Sequence, residues 1–150
     1  MKYFKGALPE LSLKYKTGTQ TRFKIQSSHD TSEALSHMFD KDTIDYQEEF
    51  ICIFLNQANN SIGWIKLASG GIASVAVDVR MIFATALTCG ATSIIVSHNH
   101  PSGRLKPSKQ DINLTKRIVN AGSLLGIPLL DHLIVNSEGD FFSFNDEGLI

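Results

Sequence analysis

Hydrophobic and polar positions along this chain switch between the strand period and the helix period, and the switches outline an α/β domain. Phe50-Ile51-Cys52-Ile53-Phe54-Leu55 is an unbroken apolar run, which suits a strand covered on both faces. Asn56 to Asn60 is a turn, so Ser61 to Ala68 reads as the returning strand of a hairpin, and Gly70-Gly71 breaks the pattern after it. Val79, Ile82, Phe83, Ala86 and Leu87 fit one face of a helix that stops near Gly90. Thr92 to Val96 is a short buried strand. Ile112, Thr115, Ile118 and Val119 mark one side of a helix over Asp111 to Ala121, with Gly122 at its end. Leu129 to Val135 and Phe141 to Phe144 read as the last two strands, joined by a turn at Ser137-Glu138-Gly139. Upstream, Asp30-Thr31-Ser32-Glu33 offers helix-start chemistry, and Ala34, Leu35, Met38 and Phe39 follow at helical spacing. Residues 1–28, with Gly6, Pro9 and Gly18 as breakers, read as an extended arm or weak strands ahead of a domain over residues 29–150. The irregular alternation of strands and helices predicts a mixed sheet flanked by helices.

A chain of 150 residues suits one domain with a real core. Its 43% apolar and 19% charged residues are ordinary for a globular protein, and the net charge of −1 argues against general nucleic-acid binding as the main task. Cys52 and Cys89 sit in apolar surroundings and read as reduced thiols, with a single disulfide left open. No apolar stretch follows the positive charges at the N-terminus. The expectation is a cytoplasmic protein with no signal peptide and no membrane partner.

The candidate chemistry is concentrated in His98-Asn99-His100-Pro101-Ser102-Gly103 and in Pro107-Ser108-Lys109-Gln110-Asp111. Residues i and i+2 of an extended chain face the same side, so His98 and His100 project together if the strand continues through them. Pro101 ends the ladder, and Pro107 keeps Lys106 out of helical angles, so a helix cannot begin before Ser108. Asp111 then lies in the first turn, able to point back at the histidines. Two histidines and a carboxylate suit zinc and leave a fourth tetrahedral position for water, whose pKa falls there to about 7. Glu48 or Glu49, just ahead of the apolar strand, could take the proton of that water. Ser108 could donate to the oxyanion of a tetrahedral intermediate. The plainer alternatives are a helix cap at Ser108-x-x-Asp111, incidental loop histidines, and solvated charges at Glu48 and Glu49. The conjunction of all these elements in one uninterrupted unit favours the chemical reading.

His98-x-His100, seven intervening residues, and Ser108-x-x-Asp111 resemble the JAMM (MPN+) metalloprotease motif. The fuller string from His98 to Gly103, with Pro107-Ser108 and Asp111, resembles the RadC subfamily. Further matches are Asp78-Val79-Arg80-x-Ile82-Phe83, Ala121-Gly122-x-Leu124-Leu125-Gly126-Ile127, Leu130-Asp131-His132-Leu133-Ile134 and Ser143-Phe144, so the resemblance runs over residues 25–148. It implies a cytidine-deaminase-like α/β/α sandwich, the JAB/MPN fold. It also implies a zinc ion held by His98, His100, Asp111 and a water, with Ser108 beside the oxyanion. The Glu-x-Phe pattern of the resemblance falls on Glu48-Glu49-Phe50 and points to Glu48 as general base. Glu49 stays open, because a strand apolar on both faces has no informative parity. The deaminases' own His-x-Glu and Pro-Cys-x-x-Cys elements are absent. The chain is too short for the helix-hairpin-helix region of full-length RadC proteins, which suggests a stand-alone form. The insertions that grip ubiquitin in other relatives have no obvious equivalent.

The leading expectation is therefore a zinc metallopeptidase or isopeptidase acting on a protein or peptide of unknown identity. Asp131-His132 could orient a ligand or form a structural pair. Arg104, Lys106 and Lys109 could steer an acidic substrate or a phosphate backbone, which gives a second expectation: a DNA-associated repair or mobile-element module that binds without cutting. A metal-bound scaffold without turnover is a third. His29 and His37 read as surface residues and Trp64 as core or hairpin packing. Oligomeric state is left open, with the hairpin at residues 61–68 as one interface.

Overall fold

The computed structural model describes residues 12, 14–16, 18, 19, 21–70 and 76–150. Gly6 and Pro9 of the expected arm, and Gly71 of the Gly-Gly break, lie outside them. Eight elements follow in chain order: α1 (Ser28–Leu35), β1 (Glu48–Leu55), β2 (Ser61–Gly70), α2 (Val79–Cys89), β3 (Ser93–Asn99), α3 (Lys109–Leu125), β4 (Leu129–Val135) and β5 (Phe141–Ser143). They form a mixed α/β fold around one five-stranded sheet of order β2-β1-β3-β4-β5. β1 is antiparallel to both β2 and β3, β3 is parallel to β4 through the α3 crossover, and β5 returns antiparallel to β4.

The apolar run in β1 is covered on both faces, as its pattern predicts. Phe50, Cys52 and Phe54 pack with Ile94 and Val96 of β3 against Ile82, Phe83 and Ala86 of α2 and Ile118 of α3. Ile51, Ile53 and Leu55 pack with Ile95 and Leu133 against Leu35 and Phe39 on the α1 side. Helices thus lie on both faces of the sheet, and even positions of β1 face the side that carries α3. Cys52 and Cys89 are free thiols.

Several boundaries differ from the pattern-based expectation. The first helix starts at Ser28, because Ser27 and Asp30 form a reciprocal capping box ahead of it, and it ends before Met38 and Phe39. Ile25 is already in the core and Lys24 bridges to Asn60, so the folded domain begins before residue 29. Gly122 does not end α3. The helix runs on to Leu125 and is capped by Gly126 in the left-handed region, φ 68°. Gly122 is required for a different reason: a Cβ there would sit 2.4 Å from the Ile127 carbonyl oxygen. Leu87 is 57% exposed rather than core-facing, and Trp64, read as core or hairpin packing, lies on the hairpin strand β2 opposite Ile53 and is 44% exposed, outside the core.

Candidate metal centre

The site forms where β3 ends and α3 begins. β3 stays extended through Asn99, and the His100 N–H still donates to the Val135 carbonyl of β4, so His98 and His100 emerge on the same side. Their Nε2 atoms are 2.9 Å apart. Gly103, at φ 76°, turns the chain after Pro101 and brings the Arg104 carbonyl to 2.6 Å from His100 Nδ1, which donates to it. Ser108 caps α3 in a capping box. Its Oγ accepts from the Asp111 N–H at 3.1 Å, while its own N–H donates to Asp111 Oδ2 at 2.6 Å. The cap is therefore real, and it also sets the direction of Asp111. The two carboxylate oxygens lie 3.2 Å from His98 Nε2 and 3.4 Å from His100 Nε2.

Glu48 joins this group from the opposite direction. β1 runs antiparallel to β3 with Phe50 opposite His98, so the start of β1 lies beside the end of β3. One ligand-type atom from each of Glu48, His98, His100 and Asp111 lies within 4.8 Å of the other three. Glu49 points to the other face. It is buried, and its Oε1 accepts from the Lys66 ammonium at 2.5 Å. The parity left open by the sequence is thus resolved by α3, which packs on the even face. Asn99, between the two histidines, is fully buried and holds the approach to Glu48. Its Oδ1 accepts from Glu49 N–H at 2.7 Å, and its Nδ2 donates to the Ile44 and Gln47 carbonyls at 2.7 and 2.8 Å.

The donor set fits a metal ion. Two imidazole lone pairs at 2.9 Å repel unless positive charge sits among them, and two carboxylates face the same point. A shared proton meets that need, and so would a divalent cation. The electrostatics agree. Burial alone would push the Asp111 carboxyl up, but hydrogen bonds from His100, His98 and the Ser108 N–H, with the charge of His98, hold it well below the usual carboxylate range. The His100 imidazole is raised, chiefly by its hydrogen bond to Asp111, against the opposing effect of burial.

Behind this cluster, His132 is fully buried, with Nε2 at 2.8 Å from His98 Nδ1 and Nδ1 at 2.7 Å from Thr115 Oγ1. Burial, followed by the nearby charge of His98, pushes the His132 imidazole well below its ordinary range. Asp131 turns elsewhere, accepting from Ser143 Oγ at 2.6 Å and from the Asn145 and His132 N–H groups. Of this pair only His132 touches the site.

The group opens into a cavity of about 960 Å³ lined by Tyr46, Phe50, Val77 and Leu114, by Ser108, and by the cations Arg104, Lys106 and Arg117. Lys109 is not among its lining residues. Arg117, Asn99 and Thr115 had no functional role in the sequence reading. The available signal for Thr115 was a hydroxyl in the middle of an otherwise apolar helix face.

Comparison with known families matches residues 25–149 to the RadC-like JAB domain. The chain belongs to the RadC-like JAB domain family. Relatives of this RadC-like domain include UPF0758 proteins of Porphyromonas gingivalis, 47% identical over 104 residues, and of Aquifex aeolicus, 38% identical over 144 residues. Those alignments cover 69% and 96% of this chain but 46% and 60% of the relatives, so the chain spans about half the length of the curated relatives it matches. No helix among the described residues is long and apolar enough to cross a membrane.

Proposed function

We propose that this RadC-like JAB domain is a zinc-dependent hydrolase of peptide or isopeptide bonds, with His98, His100 and Asp111 as the metal ligands and Glu48 as the general base. The observation that carries the reading is the convergence of four ligand-type atoms within 4.8 Å at the wall of an open cavity. Zinc suits two imidazoles and a carboxylate, and when bound it supplies the Lewis acidity that lets water attack a carbonyl near neutral pH. Glu48 accepts the proton of the attacking water and returns it to the leaving amine. Ser108 Oγ accepts from the Asp111 N–H, which leaves its hydroxyl hydrogen to be donated to the developing oxyanion. Phe50 stacks on the His98 ring with centroids 6.0 Å apart and closes the apolar side of the site.

The test is metal analysis together with turnover. The purified protein is expected to hold one zinc per chain and to melt higher with zinc than after chelation. His98→Ala should lose the metal. Glu48→Gln should keep it and lose hydrolysis of a peptide and isopeptide panel. Absence of zinc binding, or normal turnover in Glu48→Gln, overturns the reading. The cationic lining of Arg104, Lys106 and Arg117 favours one competing reading, a DNA-associated module that binds without cutting. That reading requires salt-sensitive DNA binding that is lost in the triple alanine variant.

A further inference from the structure

Both ring nitrogens of an imidazole cannot act alike when it is neutral: one donates and the other accepts. The direction of the chain behind His98 can therefore be worked out from its far end. The Thr115 hydroxyl lies 2.7 Å from the Asp111 backbone carbonyl, one helical turn back, and a carbonyl can only accept. The single hydroxyl proton is thereby used. Toward His132 Nδ1, 2.7 Å away, Thr115 Oγ1 can only accept, so His132 Nδ1 carries the proton. The His132 ring is fully buried and its two nitrogens meet no carboxylate, only His98 and Thr115, so an imidazolium there is costly and its Nε2 is a bare acceptor. His98 Nδ1, 2.8 Å from that Nε2, must then be the donor. Whenever His98 is neutral, as a metal ligand must be, its lone pair is therefore on Nε2, aimed at Asp111, His100 and Glu48. His100 reaches the same tautomer by a shorter route, through the Arg104 carbonyl.

We propose that Thr115 and His132 are positioning residues that set the His98 tautomer. The chain from the Asp111 carbonyl through Thr115 and His132 to His98 Nδ1 keeps Nε2 unprotonated for a metal ion. This rests on the metal-centre reading above. It also gives Asp111 two separate tasks: its side chain is a ligand, and its backbone carbonyl anchors the relay that orients another ligand. Packing supports the assignment. Phe144 stacks on the His132 ring at a centroid distance of 4.6 Å and Phe50 meets it edge-on at 5.8 Å, so the ring cannot turn to find other partners.

The test uses Thr115→Val, which removes the hydroxyl at nearly constant shape, and Thr115→Ser, which restores it. Zinc affinity is measured by competition with a chromophoric chelator, and imidazole tautomers by 15N NMR of zinc-free and zinc-loaded protein. Thr115→Val is expected to bind zinc about ten- to a hundred-fold more weakly. In the same variant His132 should move to the Nε2–H form and His98 should lose its Nδ1–H. Thr115→Ser should return both readouts close to the parent values. If Thr115→Val does not fold, the comparison is His132→Gln, which keeps an acceptor toward His98, against His132→Leu, which does not. Glutamine is then expected to bind zinc the more tightly, and equal affinities overturn the proposal. Unchanged affinity and tautomers in Thr115→Val overturn it, as does a serine variant as weak as the valine one. If the parent protein binds no zinc, the metal reading fails. The relay is then decided by NMR alone: it stands if the parent shows His132 Nδ1–H and the valine variant loses it, and falls otherwise.

Discussion

Replacing Asn99 by alanine is expected to separate the stability of the centre from its chemistry. The Asn99 side chain makes three hydrogen bonds, to Glu49 N–H and to the Ile44 and Gln47 carbonyls, all between 2.7 and 2.8 Å. Ile44 and Gln47 belong to the segment that leads into β1, and Glu49 follows Glu48 at its start, so the three bonds flank Glu48 on both sides. At a net value of about 1 kcal/mol each, the bonds contribute about 3 kcal/mol. For a domain of this size, that corresponds to a fall in Tm of about 6–12 °C. The three proposed metal ligands lie at the end of β3 and in the first turn of α3, so zinc binding should fall by less than tenfold. Glu48, freed from its neighbours' anchors, should lose its position. A misplacement of about 1 Å costs on the order of a hundred-fold in rate, so kcat should drop by about that factor with KM little changed. Scanning calorimetry, zinc competition and steady-state kinetics on the same preparation supply the three readouts. The reasoning is refuted if Asn99→Ala melts within 2 °C of the parent, or if the loss of rate is matched by the loss of zinc.

Two other substitutions probe the frame around the site. Gly122→Ala should be destabilising despite the better helix propensity of alanine, worth about 1 kcal/mol, because the new Cβ would meet the Ile127 carbonyl at 2.4 Å. A Tm equal to or above the parent's would show that the α3–β4 junction yields freely. Lys66→Met should cost about 3 kcal/mol, because it leaves the buried Glu49 carboxylate without its cation. The Glu49→Gln/Lys66→Met pair should recover most of that loss in urea unfolding. Additive costs would mean that the two side chains do not depend on each other.

The parts of this fold that were legible in the sequence are those set by local periodicity. The apolar run 50–55 gave a strand covered on both faces, and the spacing from Val79 to Ala86 gave α2, because burial on one or two faces leaves a pattern in the chain itself. What failed was local chemistry outweighed by tertiary contact. Gly122 looks like a helix end, yet its lack of a side chain is demanded by the Ile127 carbonyl of the following turn, and Gly126 does the capping. Leu87 keeps the helical spacing yet is exposed, while Ile82, Phe83 and Ala86 carry the buried face of α2. At the site, the histidines and Asp111 were legible because a strand end and a helix cap lie close together in sequence. The Thr115–His132 contact was not, since it joins the middle of α3 to β4 on the face that α3 covers, a tertiary contact that no local pattern marks.

The choice between Glu48 and Glu49 shows which kind of information sequence lacks. Both carboxylates precede the same apolar run, and alternation assigns them to opposite faces without saying which face carries the helix that bears Asp111. Two long-range facts decide it. β1 is antiparallel to β3, which places its first residues, not its last, beside His98; at the other end of the same pairing Leu55 meets Ser93. The other neighbour of β3 is β4, reached in parallel through α3, and α3 lies on the face where Ile118 packs with Phe50 and Val96. Glu48 has the parity of Phe50 and faces the histidines. Glu49 has the parity of Ile51 and is left beneath the opposite face, where, among the described residues, Lys66 offsets its charge. One carboxylate thus faces the candidate metal centre and its neighbour pairs with Lys66 on the opposite face, a division set by strand direction and by one helical crossover.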